Sequence, residues 1–307
     1  MIRTAAPLAL VAVVLSACSQ QPAAPVPLVP GLSKALPTVA EVRLEQGDTV
    51  LVFERAGEDW RIRDAAWRAD RRWLQPLLLG LADARCDQAR TADPSRFARI
   101  GVAWPAKDEV APDGAFARPT GRLTVAVEGR AVSVVVGYPQ ARGGTFARVE
   151  GAPHSCLSAA TLRLPARVSE WFDPQLWRVP IDRIAAVVVE DPGASALRLV
   201  AGEGGFRPEG AIIALTPDAA ALAAALAAPR QLDLRAAGDT PAERVLRLEE
   251  ADGVAHALGI WREGEATWAR VLAAPADAMP WYDGREFRLP ADVAGPLWAE
   301  RGMLGAP

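Results

Sequence analysis

Three cysteines, two histidines and a twice-occurring arginine are the residues of this 307-residue chain that could do chemistry. His154 stands two residues before Cys156, a spacing that would suit a thiol nucleophile with a base beside it. In an exported protein the same thiol invites oxidation instead. Two histidines exclude a multi-histidine metal centre. His154 and His256 each sit alone in β-type segments, so the expectation is a satisfied or exposed ring. There is no Gly-x-Ser-x-Gly elbow, His-Glu-x-x-His helix, Walker loop or Gly-x-Gly-x-x-Gly fingerprint. The carboxylate pairs Asp108-Glu109 and Glu249-Glu250 flank turns and are expected in solvent. No catalytic residue, metal or cofactor is therefore expected.

The arginine recurs within Thr145-Phe146-Ala147-Arg148-Val149 and Thr267-Trp268-Ala269-Arg270-Val271. A guanidinium pairs well with carboxylate or phosphate, so Arg148 and Arg270 would suit an anion contact. The competing and favoured expectation is that each holds its own unit together through a neighbouring carboxylate. Ten tryptophans stand against two tyrosines. Trp60, Trp73, Trp268 and Trp298 fall at repeated or helix-face positions and are expected in cores. Trp104, Trp261 and Trp281 fall in loop-like or strand-edge contexts and are expected exposed, as interface candidates. Arginines at 61, 63, 68, 71 and 72 interleave with Trp60, Trp67 and Trp73, a pattern that suits single-stranded nucleic acid. Asp59, Asp64 and Asp70 dilute that patch and the net charge is −3, so no nucleic acid is expected.

The N-terminus carries the most specific pattern. Arg3 supplies a positive start, and Ala5 to Leu15 form an apolar stretch of secretory-signal length. It is shorter than the roughly 20 residues that span a bilayer. It ends in Leu15-Ser16-Ala17-Cys18, which resembles a bacterial lipobox. That resemblance implies a thioether-linked diacylglycerol on Cys18, cleavage before it and acylation of the new amine. Two or more chains anchor stably where one is marginal. Ser19, rather than an aspartate, follows the cysteine and favours the inner leaflet of the outer membrane over the inner membrane. With Cys18 acylated, Cys86 and Cys156 remain as an even pair in an oxidising compartment. They form a disulfide if the Thr145 strand borders the exit of the helix that ends near Cys86; the alternative is two separate buried thiols.

The elements that position these residues read as one α+β unit used twice. The Thr-aromatic-Ala-Arg-Val match is preceded by Gly137 and Gly259 at the same offset. Arg163-Leu164-Pro165 meets Arg288-Leu289-Pro290, Ala56-Gly57-Glu58 meets Ala201-Gly202-Glu203, and Trp60-Arg61 meets Phe206-Arg207, all in the same order. The β-rich runs Val42–Arg55 and Ile184–Val200 break at Gln46-Gly47-Asp48 and Asp191-Pro192-Gly193. A helix is predicted from Asp70 to Ala84, with Trp73, Leu74, Leu77, Leu78 and Leu81 on one face and a kink at Pro76. A second begins at Thr216-Pro217 and stops before Pro229. Each helix is followed by alternating runs: Leu123–Val127 and Ala131–Val136, then Val245–Leu248 and His256–Ile260. Two tandem repeats are predicted, each an antiparallel sheet with one main helix on a face. The expected division is a signal peptide at 1–17, a lipidated cysteine and proline-rich tether at 18–38, a first repeat at 39–180, a second at 181–299 and a tail at 300–307. The first repeat carries an extra segment, 91–121, expected on the surface with Trp104 as its main contact residue.

Gly57-Glu58-Asp59-Trp60-Arg61, the helix from Asp70, Phe97…Ile100-Gly101-Val102…Pro105, Gly137…Thr145-Phe146-Ala147-Arg148 and Trp171-Phe172-Asp173…Leu176-Trp177 together resemble a bacterial domain-of-unknown-function family, numbered 4340, over roughly Val39 to Trp298. The resemblance implies a periplasm-facing, membrane-anchored protein, with many relatives encoded near gliding-motility-type ABC transporter components. It carries over no catalytic residues. The lipobox departs from the transmembrane helix that many members resemble one another in having. The expected function is a non-catalytic lipoprotein serving as accessory or scaffold of an envelope protein complex, with ABC transporter components as candidate partners. The alternative is a periplasmic module that binds a cell-wall glycan or lipid.

Overall fold

The computed structural model describes residues 25–105, 120–210 and 216–305. The signal stretch, Cys18, the pair Asp108-Glu109 and the central part of the extra segment lie outside the described residues. Turn residues cut the first half into β1 (Val26–Pro27), α1 (Leu32–Ala35), β2 (Glu41–Gln46), β3 (Thr49–Ala56), β4 (Asp59–Ile62) and β5 (Trp67–Arg68). Then come α2 (Arg71–Asp83), β6 (Arg85–Cys86), β7 (Gln88–Ala89), β8 (Gly121–Val127), β9 (Arg130–Pro139), β10 (Thr145–Val149) and β11 (Cys156–Ser158). Gly47 and Gly57 take positive φ in the turns that close the first hairpins, as tight reversal requires. One sheet results, in the order β5-β4-β3-β2-β8-β9-β10-β11-β7, with every pairing antiparallel.

The second half runs β12 (Ile184–Glu190), β13 (Leu197–Gly202), β14 (Gly205–Pro208), α3 (Pro217–Ala227) and β15 (Asp233–Ala236). It closes with β16 (Arg244–Glu250), β17 (Ala255–Glu263), β18 (Ala266–Ala273), β19 (Arg285–Leu289) and α4 (Ala291–Leu297). Its sheet has the order β14-β13-β12-β16-β17-β18-β19-β15, again antiparallel throughout. The fold is α+β. Among the described residues, no helix is long and apolar enough to cross a membrane.

Each main helix covers one face of its sheet. The Asp70 carboxylate accepts the Arg72 N–H at 2.8 Å and starts α2, whose Leu74, Leu77, Leu78 and Leu81 are buried at helical spacing. Pro76 lies on the exposed face, and the helix runs unbroken through it. Trp73 is half-buried at the margin of this core. The Thr216 hydroxyl accepts the Ala219 N–H at 3.2 Å to start α3, which buries Ala219, Leu222, Ala223 and Leu226.

The expectation of a tether at the start of the fold is corrected. The stretch before residue 39 is a tether only in part: β1 pairs with β6, and Leu28, Val29 and Leu32 are buried in the first core. Its prolines allow an extended strand and a turn, and the apolar residues between them find α2. The tail also packs, with Leu304 fully buried in the second core and Arg301 reaching Asp191.

Candidate functional site

Cys86 and Cys156 are joined by a disulfide, with Cα atoms 5.1 Å apart. The first is carried by the short strand that leaves α2, and the second by β11, which pairs with β10 on one side and β7 on the other. Ser155 is fully buried; its N–H and hydroxyl both donate to the Thr91 carbonyl, while its own carbonyl accepts from Arg90 N–H. Half-buried His154 is held beside the sulfurs by that clamp. Cys86, His154 and Cys156 are thus the group of metal-ligating side chains that gathers among the described residues, with ligand atoms within 4.8 Å of one another. The sequence offers Cys86 and Cys156 as a disulfide against two separate thiols, and the bond is made; it does not show that the His154 ring gathers with both sulfurs.

The recurring arginines hold structure, Arg270 through a carboxylate as expected and Arg148 through a carbonyl and an aromatic ring instead. Arg148 Nε donates to the Val102 carbonyl at 3.0 Å, and its guanidinium lies 4.8 Å from the Phe97 ring centre. It therefore fastens the start of the extra segment to the outer face of the first sheet. There Phe97, Val102 and Val135 form a small core that Trp104 joins half-buried, with Arg122 over its ring at 5.7 Å. Gly137 makes this possible, because a Cβ there would collide with the Ile100 carbonyl and lie 2.7 Å from Val102 Cγ1. Arg270 donates to Glu286 at 2.5 Å and to the Gly238 carbonyl at 2.6 Å. Burial opposes ionisation of Glu286, but Arg270, the Gly238 N–H and Arg235 outweigh it and hold the carboxyl below its ordinary range.

The tryptophan expectations are corrected in one case and qualified in others. Trp261 is buried, 1% exposed, not an interface residue. It faces away from the second core, yet the segment carrying Gly238, Ala242 and Glu243 crosses that outer face, and Arg270 covers the indole at 5.4 Å. Trp281 is half-buried against the second core, and Trp298 is half-buried too, with its indole N–H on the Thr267 hydroxyl at 3.0 Å. Trp60 is buried in the first core as expected, whereas Trp268 is buried outside the second core, on the outer sheet face with the Arg235 guanidinium over its ring at 3.8 Å. Glu250 is likewise not in solvent: it is buried, with its carboxylate 3.0 Å from Nε2 of buried His256, and Arg183 reaches it at 3.1 Å. Glu249 pairs with Arg198 at 2.7 Å.

Two concave surfaces lie along the seam between the halves, which the sequence did not mark. One cavity of about 510 Å³ is lined by Asp64, Ala65, Phe172, Leu234, Arg235 and Arg285. Another of about 540 Å³ is lined by Arg72, Trp73, Arg167, Gln231, Arg288 and again Phe172. Asp173 braces the seam: it takes Arg68 at 3.2 Å and the Gln175 N–H at 3.0 Å, and its backbone carbonyl accepts from Trp67 and Gln231. Burial pushes the Asp173 carboxyl above its ordinary value despite the hydrogen bond from Gln175 and the charge of Arg68. Burial likewise lowers the Arg285 guanidinium, which donates to the Ala65 carbonyl across the seam at 3.0 Å. Guanidinium, aliphatic and aromatic walls of this kind suit a planar or anionic group.

The family model described as Domain of unknown function (DUF4340) matches residues 39–248. No curated protein and no solved structure matches the chain.

Proposed function

We propose that this chain, which belongs to the family described as Domain of unknown function (DUF4340), is a lipid-anchored, non-catalytic scaffold or accessory subunit of an envelope protein complex, with ABC transporter components as candidate partners. On this reading Cys18 carries the lipid, the folded body faces the periplasm, and the inner leaflet of the outer membrane is favoured by Ser19. The observation that carries the proposal is the seam. Trp67, on an edge strand of the first sheet, is fully buried in the core beneath the second, so the halves make one rigid body suited to holding partners at a fixed spacing. Cysteines, arginines and histidine–carboxylate contacts that would otherwise invite a chemical role are engaged in holding that body together.

We further propose that the two sheets descend from one duplicated α+β unit. In support, β4-β3-β2-β8-β9-β10-β11-β7 and β14-β13-β12-β16-β17-β18-β19-β15 follow the same course, with the main helix lying between β4 and β7 in the first and between β14 and β15 in the second. The recurring Arg148 and Arg270 fall on corresponding strands, β10 and β18.

The test is cross-linking of the tagged full-length protein in intact cells, followed by recovery from membranes. The expected result is membrane association and a reproducible set of envelope proteins, diminished by Trp104→Ala combined with deletion of residues 107–119. Recovery without protein partners, together with retention on purified peptidoglycan fragments or lipid vesicles, would instead support the second reading, a glycan- or lipid-binding module. The guanidinium and aromatic lining of the seam favours that reading.

A further inference from the structure

We propose that Cys86, Cys156 and His154 form a redox-gated site for a soft d10 metal cation, Cu⁺ or Zn²⁺, opened by reduction of the disulfide. This stands apart from the scaffold proposal, since it rests on side chains that proposal assigns only a structural bond. The two sulfurs and the ring nitrogen already lie within 4.8 Å of one another, close enough for one cation to draw them together. Thiolate and imidazole are the ligands soft and borderline cations select.

The backbone keeps the set assembled without the disulfide. Cys156 is paired through β11 to both neighbouring strands, opposite Ala147 and Ala89. The Ser155 clamp to Arg90 and Thr91 fixes His154 beside it. Cys86 is register partner of Val26 in β1, and Leu28 N–H donates to the Ala84 carbonyl at 2.9 Å just before it. The thiols released by reduction therefore remain neighbours. His154 carries no hydrogen bond among the described residues, so its ring is available to a metal.

The chemistry balances in two steps. Reduction takes two electrons and two protons, converting one S–S bond to two S–H bonds. A periplasmic dithiol can supply both and become a disulfide; in vitro a trialkylphosphine does so, its phosphorus taking oxygen from water to become the phosphine oxide. The cation then replaces the two thiol protons, which pass to solvent, and gains two sulfur ligands and one nitrogen. Three ligands complete the trigonal shell Cu⁺ accepts, whereas Zn²⁺ would add a water.

The test uses the full mature chain, reduced by trialkylphosphine under argon, desalted, and titrated with Cu⁺ or with Zn²⁺ against a chromogenic chelator. The expected result is about one equivalent of at least one cation bound by the reduced protein and none by the oxidised protein. His154→Ala should weaken binding by more than about tenfold, and X-ray absorption of the loaded wild type should show two sulfurs and one nitrogen from the protein. Because His154 is half-buried and makes no hydrogen bond among the described residues, the variant should fold and oxidise normally, which circular dichroism and a thiol assay check. No uptake of either cation by the reduced wild type would overturn the proposal. Equal affinity in a folded His154→Ala variant, or a shell without nitrogen, would overturn it as well.

Discussion

The ring of Trp67 lies 5.0 Å from that of Phe287, so a side chain from the first sheet forms part of the core beneath the second. Tyr282 closes the group at 6.0 Å from Trp67, and the Trp67 indole N–H donates to the Asp173 carbonyl at 2.8 Å. The hydrogen bond satisfies the one polar atom of an otherwise apolar insertion. The two sheets therefore share a buried element and should not unfold independently.

Trp67→Ala should cost about 3–5 kcal/mol, from lost burial and the cavity left behind. It should also separate the halves. Urea unfolding followed by near-ultraviolet circular dichroism should show one transition for the wild type and two for the variant. A single transition at an unchanged midpoint would remove the seam as the source of rigidity.

The disulfide joins residues 70 apart in sequence. Replacing both cysteines by alanine should cost up to about 4 kcal/mol in the chain-entropy model. Denaturant midpoints of the double variant and wild type measure this, and treatment of wild type with a thiol reductant should move its midpoint the same way.

Gly137→Ala should drive the 97–104 segment off the outer sheet face, because the new Cβ meets backbone and a buried valine rather than a flexible side-chain end. The expected cost is about 1–3 kcal/mol, with faster proteolysis near Phe97. Gly295→Ala is the matched control: nothing lies within 4 Å of its Cβ, and it sits in α4. It should be neutral or stabilise by up to about 1 kcal/mol.

Asp173 sets a pH dependence. Its folded-state value is raised, mainly by burial, so its contribution favours folding when the carboxyl is protonated. That contribution is present below the unfolded-state value and is lost as pH rises through the folded-state value. Asp173→Asn stays neutral at every pH. The stability of wild type minus that of the variant should therefore fall as pH rises through and above the ordinary aspartate range, and level off once the carboxyl has ionised in the folded protein. A flat difference across the same series would show that the carboxyl ionises in the folded protein as it does in water.

Cys18→Ala tests the anchor. The variant should accumulate as precursor or as a soluble body, and the wild type should partition with membranes and carry the mass of its acyl chains. Identical fractionation of the two would refute lipidation.

Local sequence determined the hairpins, the two main helices and the α+β class. Gly47 and Gly57 mark turns, Asp70 and Thr216 cap helices, and alternation marks strands, because each effect acts over a few residues. The family pattern was legible for the same reason: its aromatics and glycines stand at fixed positions within those elements. Tertiary structure alone decided what covers each strand. Alternation in β17 distinguishes two faces but cannot show that the segment around Ala242 crosses the outer one, so Trp261 reads as exposed and is buried. The apolar run Leu28-Val29…Leu32 is too short to show a period, and it becomes core only because β1 meets β6 beyond the far end of α2. Likewise Glu250 leaves solvent because the buried imidazole of His256, on the neighbouring strand, supplies its partner. Burial and pairing depend on which distant segment arrives, and that is a property of the assembled chain.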